Sequence, residues 1–190
     1  FNIDMPDVKQ KRIINIKESA FKVNKGDYFL SSMDILKNKG FVFSRGYDIN
    51  ITGNIPINAG LSSSSALVVV WIRFLISIQE DLKKISDIQV GKWAHESEAL
   101  YFNQPGGLMD QYTIAHGGLV FIDTEFAKIS KLPNNLGHLI VAESGIKKET
   151  LSVLKKAREY AQNSIKSLLK VYPDFLLFHL LLLHQLHHQK

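Results

Sequence analysis

A loop of small residues at positions 56–67, with the sequence PINAGLSSSSAL, constrains the fold more than any other stretch of the chain. Residues 47–53 before it alternate apolar and polar side chains, which predicts a strand with one buried face. Residues 66–78 after it are apolar except mainly at Arg73 and Ser77, which predicts a helix buried on most sides. A serine run pinned between a strand and a buried helix is unlike a flexible linker.

This order of strand, small-residue loop and helix predicts an anion site. The first amides of a helix have no partner within the helix, and its dipole places partial positive charge there. Gly60 lets the backbone approach a phosphate closely, and the serine hydroxyls can bind phosphate oxygens or a magnesium ion. The alternatives are a flexible serine linker and a serine N-cap on a core helix. No Gly-Lys-Ser or Gly-Lys-Thr follows the glycine, so this is not a Walker loop.

A second group of candidate residues is acidic. Glu96 and Glu98 fall on a helix predicted to begin at Ser86 or Asp87 and to end near residue 102, and Asp110 follows the break at residues 105–107. Taken singly, the two glutamates fit a solvated helix face, and the aspartate fits an acid stabilised by a helix N-terminus. Their residue types alone therefore leave a structural role open.

The remaining pattern predicts strands and helices in mixed order. Asp27 is predicted to cap a helix whose buried stripe holds Phe29, Leu30, Met33 and Leu36. Because no regular βαβ repeat appears, the fold class is predicted to be α+β. The predicted strands cover residues 11–16, 41–52 with an interruption near Arg45, 119–123 and 138–143. The predicted helices cover residues 27–37, 66–78, 86–102 and a long stretch from Lys148, and residues 109–115 form a short helix or a turn.

Composition narrows the class of protein. The chain has 190 residues, 45% of them hydrophobic, which is enough for a real core and argues against disorder. The net charge of +5 is scattered and forms no basic stripe with interleaved aromatics, so we expect no nucleic-acid partner. The chain has no cysteine, which excludes disulfides and fits a cytoplasmic location. No apolar run reaches membrane-spanning length, so no membrane partner is expected.

The tail at residues 175–190 differs from the rest because leucine and histidine dominate it. His184 and His188 are four residues apart, a spacing that on a helix can bind a metal, but no carboxylate or thiolate accompanies them. The favoured interpretation is therefore a truncated or altered reading frame rather than a metal site. Resequencing the gene locus tests this hypothesis, and an uninterrupted frame with these same codons would remove it.

The serine-rich loop resembles the second motif of the GHMP kinases, a family of small-molecule kinases. In that motif a proline, a glycine, a leucine and small residues form the loop that holds the phosphates of ATP. Pro56 fits it, and Ser65 stands where many members have alanine. The resemblance implies ATP phosphate binding by Gly60, Leu61, Ser62, Ser63, Ser64 and Ser65.

Residues 98–111, with the sequence EALYFNQPGGLMDQ, are similar to a segment of the galactokinases within that family. The resemblance implies that Glu98 and Ser64 hold magnesium. It also implies that Asp110 is the catalytic residue and faces the anomeric hydroxyl of the sugar, against which the backbone of Gly107 lies. Whether the aspartate removes the proton or positions the hydroxyl stays open.

The same resemblance implies a GHMP kinase N-terminal domain, related to domain 2 of ribosomal protein S5, with a mixed sheet packed against helices. We expect this domain over residues 1–145, the start of a second half with a long helix over 146–174, and the atypical tail over 175–190. The implied function is an ATP-dependent sugar 1-kinase that transfers a phosphoryl group from MgATP to galactose or a related sugar. Its cofactors are ATP and Mg²⁺, and its partner is a small-molecule sugar.

Two family motifs have no counterpart in the chain: the first motif, Gly-Glu-His-Thr-Asp-Tyr in galactokinases, and the glycine-rich third motif. We therefore expect a chain cut at both ends that binds MgATP weakly and does not turn over galactose by itself. Two alternatives remain. One is a catalytically inactive, galactokinase-like ligand sensor, which the missing first motif favours, and the other is a different GHMP small-molecule kinase.

Overall fold

The computed structural model describes residues 1–18, 20–57, 59–81, 84–124, 126, 128–133, 137–142 and 150–174. They belong to two compact units, Phe1–Lys148 and Glu149–Lys190. The histidine-rich tail, with His184 and His188, lies outside the described residues, and so does the end of the strand predicted over 138–143.

A small mixed sheet begins the first unit. Strand β1 (Asn2–Met5) lies in the centre, pairs antiparallel with β2 (Gln10–Ile13) and pairs parallel with β3 (Asp48–Asn50). The alternation in the sequence located β2 and β3 but overestimated their length, because only residues with a neighbouring strand can form the ladder. β3 runs toward the serine-rich loop.

Three helices follow the predicted order. Helix α1 (Tyr28–Asn38) begins where the sequence predicts, since the Asp27 side chain accepts a hydrogen bond of 3.1 Å from the backbone N–H of Leu30. Helix α2 (Ser63–Ser77) follows the serine-rich loop, and helix α3 (Asp87–His95) is capped by Ser86. These caps satisfy backbone donors that the first turns of α1 and α3 leave without a helical partner.

The hydrophobic core of this unit lies around α2. Trp71 of α2 is buried, donates a 3.1 Å hydrogen bond to the carbonyl oxygen of Phe29 and stacks edge-to-face on the Phe29 ring. Phe29, Met33 and Leu36 form the predicted buried stripe of α1, while Leu30 is half-buried. α2 is less buried than predicted, because one face is exposed at Val70, Arg73 and Ser77.

The C-terminal part of the unit holds helix α4 (Met109–His116) and a hairpin of β4 (Val120–Asp123) and β5 (Lys128–Lys131). The prediction of a strand over residues 138–143 is wrong for its described part, since residues 138–142 form no strand. Its β-forming side chains are exposed, and no strand among the described residues pairs with them. Propensity without pairing does not make a strand. With its helices and small mixed and antiparallel sheets, the fold is α+β.

The second unit contains helix α5 (Thr150–Val171), which follows the long amphipathic pattern in the sequence. Among the helices that the structure describes, none combines the length and the apolar character needed to cross a bilayer.

Candidate active site

The serine-rich loop ends in a tight bend at the start of α2. Gly60 has a φ of +76°, and Ser62, the N-cap residue of α2, has a φ of +55°. A non-glycine residue in this left-handed region is strained by about 1–3 kcal/mol. Ser62 makes no side-chain hydrogen bond to the helix, so the first amides of α2 are not capped by it. The bend therefore leaves backbone donors of the helix N-terminus available to an anion.

Glu98 lies on a widened turn that continues α3. Residues Glu96–Leu100 form a π-helical turn, closed by a 2.8 Å hydrogen bond from the backbone N–H of Tyr101 to the carbonyl oxygen of Glu96. π-Helical turns are rare and occur frequently at functional sites. The turn is held against α1, because the Ser31 hydroxyl donates a buried 2.9 Å hydrogen bond to the carbonyl oxygen of Ser97. The Glu98 side chain is half-buried.

Two side chains, from two other elements, donate hydrogen bonds to Glu98. The hydroxyl of Ser65, in the first turn of α2, donates to Glu98 Oε2 over 2.7 Å. The amide Nε2 of Gln111, in the first turn of α4, donates to the same oxygen over 2.7 Å and lies 3.3 Å from the Ser65 hydroxyl. Ser65 is 2% exposed and Gln111 is 4% exposed. This contact brings the serine-rich loop, Glu98 and the Met-Asp-Gln turn together at one place.

Asp110 precedes Gln111 in the first turn of α4, and its side chain is half-exposed. The preceding loop is fixed at two points. The backbone N–H of Gln104 donates to the carbonyl oxygen of Ala99 over 2.9 Å, and the His95 Nε2 lies at hydrogen-bond distance, 3.1 Å, from the carbonyl oxygen of Gly106. Gly107 is exposed, next to this fixed point. Asp110 and Gly107 therefore lie close in sequence to Gln111, the residue of α4 that contacts Glu98.

The negative charge of Glu98 affects the pKa of a neighbouring tyrosine. Burial, and after it the negative charge of Glu98, raises the pKa of Tyr28 above its usual value. The salt bridges that the described residues form do not include Glu98, whereas its neighbour Glu96 pairs with Lys39 over 2.9 Å. Glu98 is thus a half-buried carboxylate held by neutral donors.

A cation at this site would be bound mainly by oxygen ligands from one carboxylate and nearby hydroxyls. Within the described ranges, no group of three or more His, Asp or Glu side chains forms a ready-made metal cage. A single carboxylate with a serine hydroxyl suits Mg²⁺, which typically takes one or two protein oxygens and completes its shell with phosphate oxygens and water. The residues present therefore fit a magnesium ion that arrives with a nucleotide.

The sequence predicts that Ser64 and Glu98 hold one magnesium ion, and this stays a prediction. In the structure Ser65 contacts Glu98, and the neighbouring Ser64 side chain is exposed. The role of Gln111 was also missed, although it stands beside Asp110 in the motif. The sequence indicates a helix start near Gln111, but it does not show which side chain of the first turn points inward.

Comparison with known proteins shows which family the part of the chain around this site matches. Residues 27–118 match the family model described as GHMP kinases N terminal domain. The chain therefore contains a GHMP kinase N-terminal domain, and the resemblance seen in the sequence is confirmed. That domain spans the serine-rich loop, Glu98 and Asp110.

Among individual proteins, the chain is similar to curated galactokinases. It is 28% identical to the galactokinase of Clostridium perfringens over 151 residues, which is 76% of this chain and 38% of the relative. It is 29% identical to that of Limosilactobacillus fermentum over 130 residues, 66% of this chain and 33% of the relative. For Thermococcus kodakarensis the values are 28% over 156 residues, 76% and 44%. The aligned part of the chain thus spans less than half the length of each of these relatives.

Proposed function

We propose that this chain forms the nucleotide- and acceptor-binding part of an ATP-dependent sugar 1-kinase of the galactokinase type. The reaction is the transfer of a phosphoryl group from MgATP to the anomeric hydroxyl of galactose or a related sugar. The observation that carries the proposal is the contact of Ser65 and Gln111 with Glu98, since it joins the serine-rich loop to the helix that bears Asp110. A fold related to domain 2 of ribosomal protein S5 and a cytoplasmic location belong to the same proposal.

The phosphates of ATP bind at the serine-rich loop in this proposal. The uncapped amides of the first turn of α2 and the partial positive charge of the helix N-terminus attract the phosphate oxygens. The positive φ of Gly60 turns the backbone without a side chain in the way. Leu61 completes the bend, and the hydroxyls of residues 62–64 supply further donors.

Glu98 and Ser64 would hold magnesium, and phosphate oxygens would supply further ligands. When bound, the ion neutralises charge on the phosphate oxygens, which is the main requirement of phosphoryl transfer. The carboxylate of Glu98 supplies one negative charge to this site, and its hydrogen bonds to Ser65 and Gln111 fix the side chain. The chain thus contributes alignment and charge rather than covalent chemistry.

Asp110 orients the acceptor. Its half-exposed carboxylate accepts a hydrogen bond from the sugar hydroxyl and takes up the proton as the new oxygen–phosphorus bond forms, while the bond from the γ-phosphorus to the β-phosphate oxygen breaks and ADP leaves. The backbone at Gly107, without a side chain to obstruct it, lies against the sugar.

Two assays test the proposal. Calorimetric titration of ADP into the chain, with and without Mg²⁺, is expected to show binding that Mg²⁺ strengthens. A radiolabel assay with ATP and a panel of hexoses, run on the chain and on the whole product of its gene, is expected to show sugar phosphorylation by the whole gene product. Binding without turnover of any sugar by that product would instead support a ligand sensor, and absence of nucleotide binding would contradict both functions.

A further inference from the structure

Both hydrogen bonds that the described residues make to the Glu98 carboxylate end on one oxygen. Ser65 and Gln111 each donate to Oε2 over 2.7 Å, and neither donates to Oε1. Two donors occupy the lone-pair directions of a carboxylate oxygen, so Oε2 is engaged within the protein. The other oxygen of the carboxylate stays available to a ligand.

The orientation of the Gln111 amide follows from this arrangement. Its Nε2 is directed to Glu98 and Ser65, whereas its buried Oε1 has no hydrogen-bond partner among the described residues. A buried acceptor without a partner costs about 1–3 kcal/mol. Turning the amide over would place Oε1 against a carboxylate oxygen, which is more unfavourable still. The amide is therefore held in place by the negative charge of Glu98.

The two donors come from separate elements that flank Glu98. Ser65 is on α2 and Gln111 is on α4, and both side chains are almost fully buried. Such a pair limits rotation of the carboxylate about its last side-chain bond, because rotation would break two charge-assisted hydrogen bonds. Hydrogen-bonding partners behind a metal ligand are known to set its orientation and strength.

We propose that Ser65 and Gln111 are positioning residues that engage Oε2 of Glu98 and present Oε1 to the nucleotide-bound cation. This inference rests on the proposed function, because it deepens the role of the same site. It assigns Ser65 to the protein side of the carboxylate and leaves Ser64, on the exposed side, free to face the ligand. The two adjacent serines then have different tasks.

The first experiment measures how strongly Mg²⁺ raises the affinity of the full chain for ADP. Ser65→Ala and Gln111→Met are compared with wild type, with Glu98→Gln as the variant that lacks the charged ligand. Ser77→Ala is the matched control, because Ser77 is an exposed serine on the same helix whose hydroxyl bonds only within that helix. Thermal unfolding of each variant verifies that it is folded.

Ser65→Ala and Gln111→Met are expected to reduce the Mg²⁺ enhancement by about 10-fold or more, while ADP affinity without Mg²⁺ stays at the wild-type value. A merely structural role would lower both affinities together. In the double variant Ser65→Ala/Glu98→Gln, the serine change is expected to add nothing to the loss from Glu98→Gln. An unchanged Mg²⁺ enhancement in both single variants, or an additive loss in the double variant, would overturn the inference.

A second readout is independent of metal and nucleotide. In the free chain, the side-chain amide protons of Gln111 are expected to give an NMR signal that shifts strongly in Glu98→Gln and not in Ser77→Ala. An unshifted signal overturns the positioning role even if MgADP binds normally, in which case the proposed function stands. A shifted signal in a chain that binds no MgADP retains the hydrogen bonds but contradicts both the proposed function and the cation role built on it.

Discussion

At the scale of single residues, the proposed chemistry depends most on the carboxylate of Asp110. Asp110→Asn keeps the size of the side chain and one hydrogen-bonding oxygen, but it removes the carboxylate that takes up the proton. We expect transfer by the whole gene product to fall by about 100-fold or more, and nucleotide binding to stay nearly intact, because general-base catalysis contributes factors of this size. Radiolabel transfer and calorimetry measure the two quantities, and near-normal turnover would show that the role is wrongly assigned.

Ser64 is tested through metal dependence. Ser64→Ala removes a hydroxyl that the proposed function places on the cation, so the Mg²⁺-dependent affinity for ADP is expected to fall by about 10-fold. The affinity measured without Mg²⁺ should change little, because the backbone amides of the loop are retained. Equal losses with and without Mg²⁺ would assign the Ser64 hydroxyl to the phosphates rather than to the cation.

Tyr101 gives a pH-dependent prediction outside the site. Burial, and then its 2.9 Å hydrogen bond to Asp34, raises the pKa of Tyr101 to about 12. Since the folded-state pKa lies above the usual value of about 10, the protonated phenol stabilises the fold fully below pH 10. That stabilisation is lost as the pH rises through about 12. Ultraviolet titration should show a late tyrosine whose pKa falls in Asp34→Asn, and an unchanged titration would contradict this.

At the scale of secondary-structure elements, the contact of α3 with α4 sets where Gln111 and Asp110 lie. A Cβ added at Gly91 of α3 would stand 3.0 Å from the Cα of Tyr112 and 3.3 Å from two atoms of its ring. A side chain at this position would require Tyr112 to shift by a few tenths of an ångström, so glycine favours this close approach. α4 is thus positioned by a glycine that is distant in sequence from both functional residues.

Gly91→Ala tests that contact. Replacing an exposed helical glycine by alanine raises the free energy of unfolding by up to about 1 kcal/mol. Here overpacking against α4 is expected to cost about 1–3 kcal/mol, so the net change is destabilising. Urea unfolding measures the change in free energy. Gly46→Ala, where an added Cβ meets nothing within 4 Å, is the control and should change stability little. A Gly91→Ala chain as stable as wild type would show that α4 yields easily.

The elements that could be predicted from sequence are those specified by local chemistry. The Asp27 cap began α1 as expected, the apolar run gave α2, and the break at residues 105–107 preceded α4. The strand expected at residues 138–142 failed because a strand needs a partner that local sequence does not reveal. β5 was missed because its lysines hide the alternation.

The sequence motifs predict the residues of the candidate site but not the contacts between them. The sequence predicts Glu98, Asp110 and the serine-rich loop as site candidates. Which serine contacts Glu98, Ser65 or Ser64, depends on how the first turn of α2 faces its neighbours. Helical rotation of about 100° per residue separates an inward from an outward serine. Only the packing of α2 against the turn that carries Glu98 decides which serine faces inward.

At the scale of the whole molecule, the first unit contains every residue of the proposed site, from the serine-rich loop to the start of α4. Its domain matches the GHMP kinases, while the aligned part spans 38% of the length of the Clostridium perfringens galactokinase. Ligand binding and catalysis by this chain therefore need separate tests. Binding of nucleotide and cation is the property that its own residues are expected to provide.

The clearest test is to add ADP with Mn²⁺, a paramagnetic substitute for Mg²⁺, to the isotope-labelled chain and to record its backbone amide spectrum. If one site holds nucleotide and cation, broadening will centre on Ser64, Ser65, Glu98 and Gln111. Broadening centred on another surface, or none at saturating ADP, would contradict a shared site formed by the serine-rich loop, Glu98 and α4.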